Sequence, residues 1–147
     1  VVLLHENEKA IYGDIAPRCL EILKEFCGDH FKGVFDFANF VQCKQDTLEA
    51  YDLLRPYIDY IHVKDALWET GEVVPAGHGD GHVAELLGKL KESGYTGFLS
   101  LEPHLFNFTG FAALEKDADV SEKKALSGEE AFTLAFESLN KILEELS

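Results

Sequence analysis

Four short runs of apolar, strand-favouring residues each end on a side chain that can bind a metal ion. They read V-V-L-L-H-Glu6, G-V-F-Asp36, Y-I-His62 and F-L-S-L-Glu102, and the ends lie 30, 26 and 40 positions apart. Those intervals match one strand–helix unit each, since a βαβ crossover takes about 30 residues or more. The runs are continuous rather than alternating, which indicates strands covered on both faces, as in a parallel sheet flanked by helices. In such folds functional groups collect at the carboxyl ends of the strands, where loops converge over a rigid sheet. Glu6, Asp36, His62 and Glu102 are therefore expected at one rim. A lone acidic residue at a strand end is ordinarily a cap or a solvated turn; four ligand-type residues in phase are not so easily explained.

The rest of the chain supports the same order. The first strand spans Val1 to Leu4 and runs into the acidic tip, and Asp14 is expected to cap the helix "RCLEILKEFC", with Pro17 in its first turn and Gly28 closing it. The second strand is expected over Lys32 to Phe37 and the third over Ile58 to Val63. Between them, Asp46 and Glu49 resemble a capping box before "TLEAYDLLRPY". The glycine-rich stretch "ETGEVVPAGHGDGH" reads as a loop leading to the helix "VAELLGKLKESG", which stops at a glycine. "TGFLSLEPH" supplies the fourth strand, and Ser127 with Glu130 caps the last helix. The fold class is thus α/β, with four βα units in one domain over residues 1–147. No methionine occurs and the chain opens inside an apolar run, so it reads as part of a longer protein.

Composition narrows the partners. A formal charge of −14 repels phosphate backbones and anionic bilayers, which argues against nucleic-acid or membrane binding. No apolar stretch approaches the roughly 20 residues of a spanning helix. Cys19, Cys27 and Cys43 form no C-x-x-C and read as reduced structural thiols, consistent with a cytoplasmic protein.

Three carboxylates and one imidazole make a hard, oxygen-dominated donor set. It favours Mn²⁺ or Mg²⁺, with Co²⁺ or Zn²⁺ as alternatives, over a closed structural zinc site. Without a cation the three carboxylates would repel one another. Lys64 stands two residues after His62 and so on the same strand face, from which it either reaches a substrate oxygen or pairs with Asp65 or Glu102. His104 is a candidate substrate contact at the rim. His78 and His82, at H-x-x-x-H spacing, form a weaker candidate for a second metal site. His5 is expected to pack behind the first tip, and Trp68 is a candidate pocket wall.

"LLHENE", "VFDFANF", "YIHVKDA", "PAGHGDG" and "GFLSLEPHL" together resemble the second half, strands five to eight, of the xylose-isomerase-like TIM barrels, the sugar phosphate isomerase/epimerase superfamily. The resemblance implies a half barrel with Glu6, Asp36, His62 and Glu102 as ligands of one divalent metal. It further implies isomerase or epimerase chemistry on a small keto sugar or sugar phosphate through an enediolate, with Glu6 and Glu102 also moving protons. Many relatives carry a histidine three residues after the second ligand; here that position is Asn39, a candidate for hydrogen bonding substrate but not for acid–base work. That departure weakens a competing possibility, an abasic-site endonuclease. A noncatalytic truncated barrel and a lyase on the same scaffold compete with the isomerase reading as well. A half barrel leaves its inner face bare, so pairing with a missing N-terminal half or with a second copy is expected. The phenylalanine-rich stretch with Phe106, Phe108 and Phe111 is a lid, an oligomer contact or a surface loop.

Overall fold

The computed structural model describes residues 1–105 and 126–147. Four strands, β1 (Leu3–Glu6), β2 (Phe31–Asp36), β3 (Ile58–Val63) and β6 (Phe98–Leu101), form one sheet in the order β1-β2-β3-β6. All three pairings are parallel. The remaining two strands, β4 (Asp65–Ala66) and β5 (Val73–Val74), pair antiparallel just beyond β3. The described residues form five helices, of which α1 (Ala16–Phe26), α2 (Phe37–Gln42), α3 (Thr47–Leu54) and α4 (Val83–Glu92) lie between strands and α5 (Gly128–Glu145) follows β6, with a 3₁₀ turn at Arg55–Tyr57.

Side chains alternate across the sheet. On the outer face Phe35, Ile61 and Val63 are buried under Leu23 of α1, Tyr51 and Leu54 of α3, and Leu86 and Leu90 of α4. The inner face carries the tip residues and, below them, Leu4, Tyr60 and Phe98, with Tyr60 stacked on Phe98 at 5.8 Å between ring centroids. Phe98 is 74% exposed and Leu4 40%, so the concave side of this partial barrel is open.

Local signals explain most boundaries and correct several. Ser127 and Glu130 form a reciprocal capping box at the start of α5, as expected. At α3 the Asp46 carboxylate accepts from the Glu49 N–H. Asp14 does not cap α1: the cap position is Ile15, while the Asp14 carboxylate accepts from Ile15 N–H and pairs with Arg18 at 2.8 Å. Nor does Gly28 close α1; Cys27 turns out of the helix in an extended conformation, and Gly28 bridges to Phe31. The stop of α4 does use a glycine, with Gly94 at φ +75°. β2 ends at Asp36, one residue short of the expected Phe37, because Asp36 itself caps a helix, α2, where the sequence suggests strand and loop. The fourth strand is likewise shorter than "TGFLSLEPH", ending at Leu101. The phenylalanine-rich stretch, 106–125, lies outside the described residues.

The glycine-rich loop after β3 has one organiser. Asp65, fully buried, accepts hydrogen bonds from the N–H groups of Ala66 (2.8 Å), Gly77 (3.1 Å), Gly79 (3.0 Å) and Gly81 (2.8 Å). Burial raises the Asp65 carboxyl pKa, and those four donors pull against it. The loop must pass close to the carboxylate for this, which is why it needs glycine: a Cβ on Gly79 would sit 2.5 Å from both Ala66 O and Asp65 Oδ1. Gly79→Ala is accordingly expected to destabilise the fold by about 1–3 kcal/mol, the usual cost of overpacking, read from a denaturant melt.

Candidate metal centre

The tip of β1 is fastened to the tip of β2 by a side chain. Backbone pairing between these strands runs as far as Glu6 opposite Val34. One residue on, buried Asn7 continues the ladder: its Nδ2 donates to Asp36 O (3.0 Å) and its Oδ1 accepts from Asp36 N (2.9 Å). Asp36 is thereby fixed at both backbone groups, and its Oδ1 accepts from Asn39 N (2.8 Å) at the start of α2. Only Oδ2 remains, and it is buried without a hydrogen-bond partner.

Around that oxygen stand the other three expected ligands. One donor atom from each of Glu6, Asp36, His62 and Glu102 can be chosen so that all lie within 4.8 Å of one another. Opposed ligands on an ion with bonds of about 2.1–2.6 Å are about 4.2–5.2 Å apart, so the set fits a single hard dication. Asp36 Oδ2 suits that role: it is buried, and the Lys64 ammonium 3.2 Å away already sets a positive charge against it. Among the described residues this is the only group of three or more histidine, cysteine or acidic side chains so arranged. His78 and His82 do not join it; His82 Nδ1 lies 3.0 Å from Thr47 Oγ1.

The electrostatics differ from residue to residue. Burial drives the Asp36 carboxyl well above the ordinary carboxylate range, with Lys64 opposing. His62 Nδ1 lies 2.9 Å from Glu6 Oε1 and 3.6 Å from Glu102 Oε2, and the hydrogen bond to Glu6 raises its pKa. The ring nitrogen of His62 that holds an ion must be free of its proton. Burial works to raise the Glu102 carboxyl, but the hydrogen bond and charge of Lys64 outweigh it and hold the group low. Exposure separates the carboxylates as well. The Glu6 and Glu102 side chains are 27% and 33% exposed, while that of Asp36 is fully enclosed.

Of the three candidate substrate contacts, two lie within the cluster. Lys64 is 4% exposed, with Nζ 2.5 Å from Glu102 Oε2 and 3.2 Å from Asp36 Oδ2. It pairs with Glu102 rather than Asp65, whose carboxylate is taken by the glycine loop. Asn39 is buried, and its Nδ2 donates to Asn7 O (2.9 Å), Glu6 Oε1 (3.3 Å) and Glu8 Oε2 (3.3 Å). That geometry orients the β1 tip. His104 stands at the rim, half exposed, with Nε2 3.6 Å from Glu102 Oε1. His5 packs behind the tip against Phe31, its Nε2 buried and unpartnered. Trp68 carries the Lys44 ammonium over its ring. The cysteines are free, and burial pushes the Cys19 thiol up to about 12, an unreactive state. Nothing in the sequence marks Asn7 beyond its place directly after a ligand.

The sequence model of the xylose isomerase-like TIM barrel family matches residues 1–125. The chain belongs to that family. Solved structures agree on the fold. D-psicose 3-epimerase from Clostridium cellulolyticum H10 superposes with a TM-score of 0.72 at 16% identity, over 100% of this chain and 50% of that one. A D-tagatose 3-epimerase-like protein gives 0.69 at 22% identity, over 99% and 48%. A probable 3-DHS dehydratase from Bacillus anthracis gives 0.58 at 23% identity, over 69% and 43%. The chain thus spans about half the length, or less, of these structures, as a four-stranded part of a TIM-type barrel. A comparison with curated proteins returned no significant match. Among the described residues no helix is long and apolar enough to cross a membrane.

Proposed function

We propose that this xylose isomerase-like chain serves a divalent-metal-dependent isomerase or epimerase of a small keto sugar or sugar phosphate. The observation that carries the reading is the division of labour among the carboxylates. Glu6 belongs to one edge strand and Glu102 follows the other, so the two approach the mouth from opposite sides, both partly exposed, over an enclosed Asp36. Two carboxylates so placed can take a proton from one face of a bound molecule and return one to the other. Asp36, His62 and the inner oxygens of Glu6 and Glu102 would hold the ion; Mn²⁺ or Mg²⁺ suits the donors best. When bound, that cation supplies Lewis-acid stabilisation of the charge that develops on oxygen as a proton beside a carbonyl is removed.

The test is hydrogen exchange. In D₂O with Mn²⁺, deuterium is expected to enter next to the carbonyl of at least one member of a keto-sugar panel. A metal-loaded protein that exchanges none contradicts the reading. The same preparation should leave an abasic duplex uncut, in keeping with the charge of −14.

The open concave face bears on the working unit. We propose residues 1–147 as one domain that forms half of a barrel and pairs with a further half, in the same polypeptide or in a second copy. A stable monomer of 16.4 kDa on size-exclusion chromatography would contradict this.

A further inference from the structure

Proton transfer between Glu6 and Glu102 makes no use of Lys64, yet Lys64 is the most enclosed cation at the site. Its ammonium touches Asp36 and Glu102, while His62 Nδ1 makes its close contact with Glu6 at 2.9 Å and stands farther, 3.6 Å, from Glu102 Oε2. Without positive charge, three carboxylates within ligand distance of one another would splay or protonate. The approach to Asp36 is also of a particular kind. At 3.2 Å Lys64 Nζ stands at ion-pair distance from Oδ2, a looser approach than its 2.5 Å contact with Glu102 Oε2.

We propose that Lys64 is a tethered counter-cation, which keeps Asp36 and Glu102 gathered in the metal-free protein and withdraws from them when a dication enters. This rests on the four-ligand metal centre and goes beyond it. Three features support it. Lysine presents a compact charge on a flexible stem, able to leave, where arginine would lock both carboxylates in a planar fork. The carboxylates it faces, Asp36 and Glu102, belong to the donor set a dication would need, and like charges at contact distance repel strongly in an enclosed site. Finally, a dication and the Lys64 ammonium together balance the three carboxylates, so the lysine need only retreat, not lose its proton.

A brace that orients the ligands would be the opposite role, and the two differ in sign. Removing a brace weakens metal binding. Removing a competing cation strengthens it. Mn²⁺ affinity is to be measured by calorimetry on the protein and on Lys64→Met and Lys64→Gln, the latter keeping a hydrogen-bond donor without the charge. Both variants are expected to bind at least about tenfold tighter, since a nearby unit charge is removed. Their metal-free melting temperature should fall below that of the unaltered protein and recover at saturating Mn²⁺. Unchanged or weaker affinity overturns the proposal, and so does failure of both variants to fold even with saturating Mn²⁺. Variants that fold only with Mn²⁺ support it. If the unaltered protein binds no Mn²⁺ at all, the metal centre itself falls and this proposal with it, an outcome distinct from binding that fails to tighten.

Discussion

Asp36→Asn is expected to lower Mn²⁺ affinity by more than about a hundredfold, because altering even an outer partner of a metal ligand costs about 10- to 100-fold. The substitution is chosen to separate binding from folding. Asparagine has the same shape, and its carbonyl oxygen can still accept from Asn39 N, so the start of α2 survives. What changes is Oδ2. An amide nitrogen there has no lone pair to offer a cation and turns its hydrogens toward the Lys64 ammonium. Breaking a buried pair from one side costs about 3–5 kcal/mol. Here the loss should be smaller, since Lys64 keeps Glu102 at 2.5 Å and a neutral amide is cheaper to bury than a carboxylate. Calorimetry should thus show binding nearly gone while the thermal melt shifts modestly. Acidification acts on the same atom. Burial already raises the Asp36 carboxyl, so protons compete there at higher pH than at an ordinary aspartate, and affinity should decline as pH falls from neutral.

The second large effect concerns the exposed pair. Glu6→Gln and Glu102→Gln, each assayed at saturating Mn²⁺, are expected to slow interconversion of a sugar and its epimer by about 10²–10⁴-fold, the usual contribution of a positioned acid or base. Glutamine retains an oxygen that can face a cation, which limits the change to proton transfer. The informative signature is asymmetry. If the two carboxylates serve opposite faces, each variant should still wash deuterium into one epimer while failing to complete the conversion. Loss of exchange from both epimers in one variant, with the other variant unaffected, would instead mean that one group does all the proton transfer. Asn39 bears on this, because its bond to Glu6 Oε1 at 3.3 Å orients that carboxylate.

Much of this is legible in the chain because parallel strands covered on both faces write an uninterrupted apolar run, and the residue that ends such a run is conspicuous. Glu6, Asp36, His62 and Glu102 stand out for that reason, and the β3 limits, Ile58 to Val63, are those the sequence suggests. The parts that do not show depend on side chains acting as backbone. Asp36 both ends β2 and caps α2, and "FDFANF" has the look of a continuing strand because, apart from the cap, Asn39 is its one polar residue. Asn7 mimics a peptide group across the strand gap, which no local pattern encodes. Asp65 draws in three glycine N–H groups from 12 to 16 residues away, so the loop's compactness can be anticipated only from the glycines and not from their partner. At α1, Asp14 looks like a cap, but its bond to Arg18 four residues on gives the carboxylate another use.

The central claim is that the chain gathers four donors for one ion, and diffraction from crystals grown with Mn²⁺ tests it most directly. A single strong anomalous peak is expected, with donor atoms of Glu6, Asp36, His62 and Glu102 all within about 2.0–2.6 Å of it. Ordered side chains with no peak between them, or a Mn²⁺ ion bound elsewhere while Lys64 remains on Asp36 and Glu102, would contradict it.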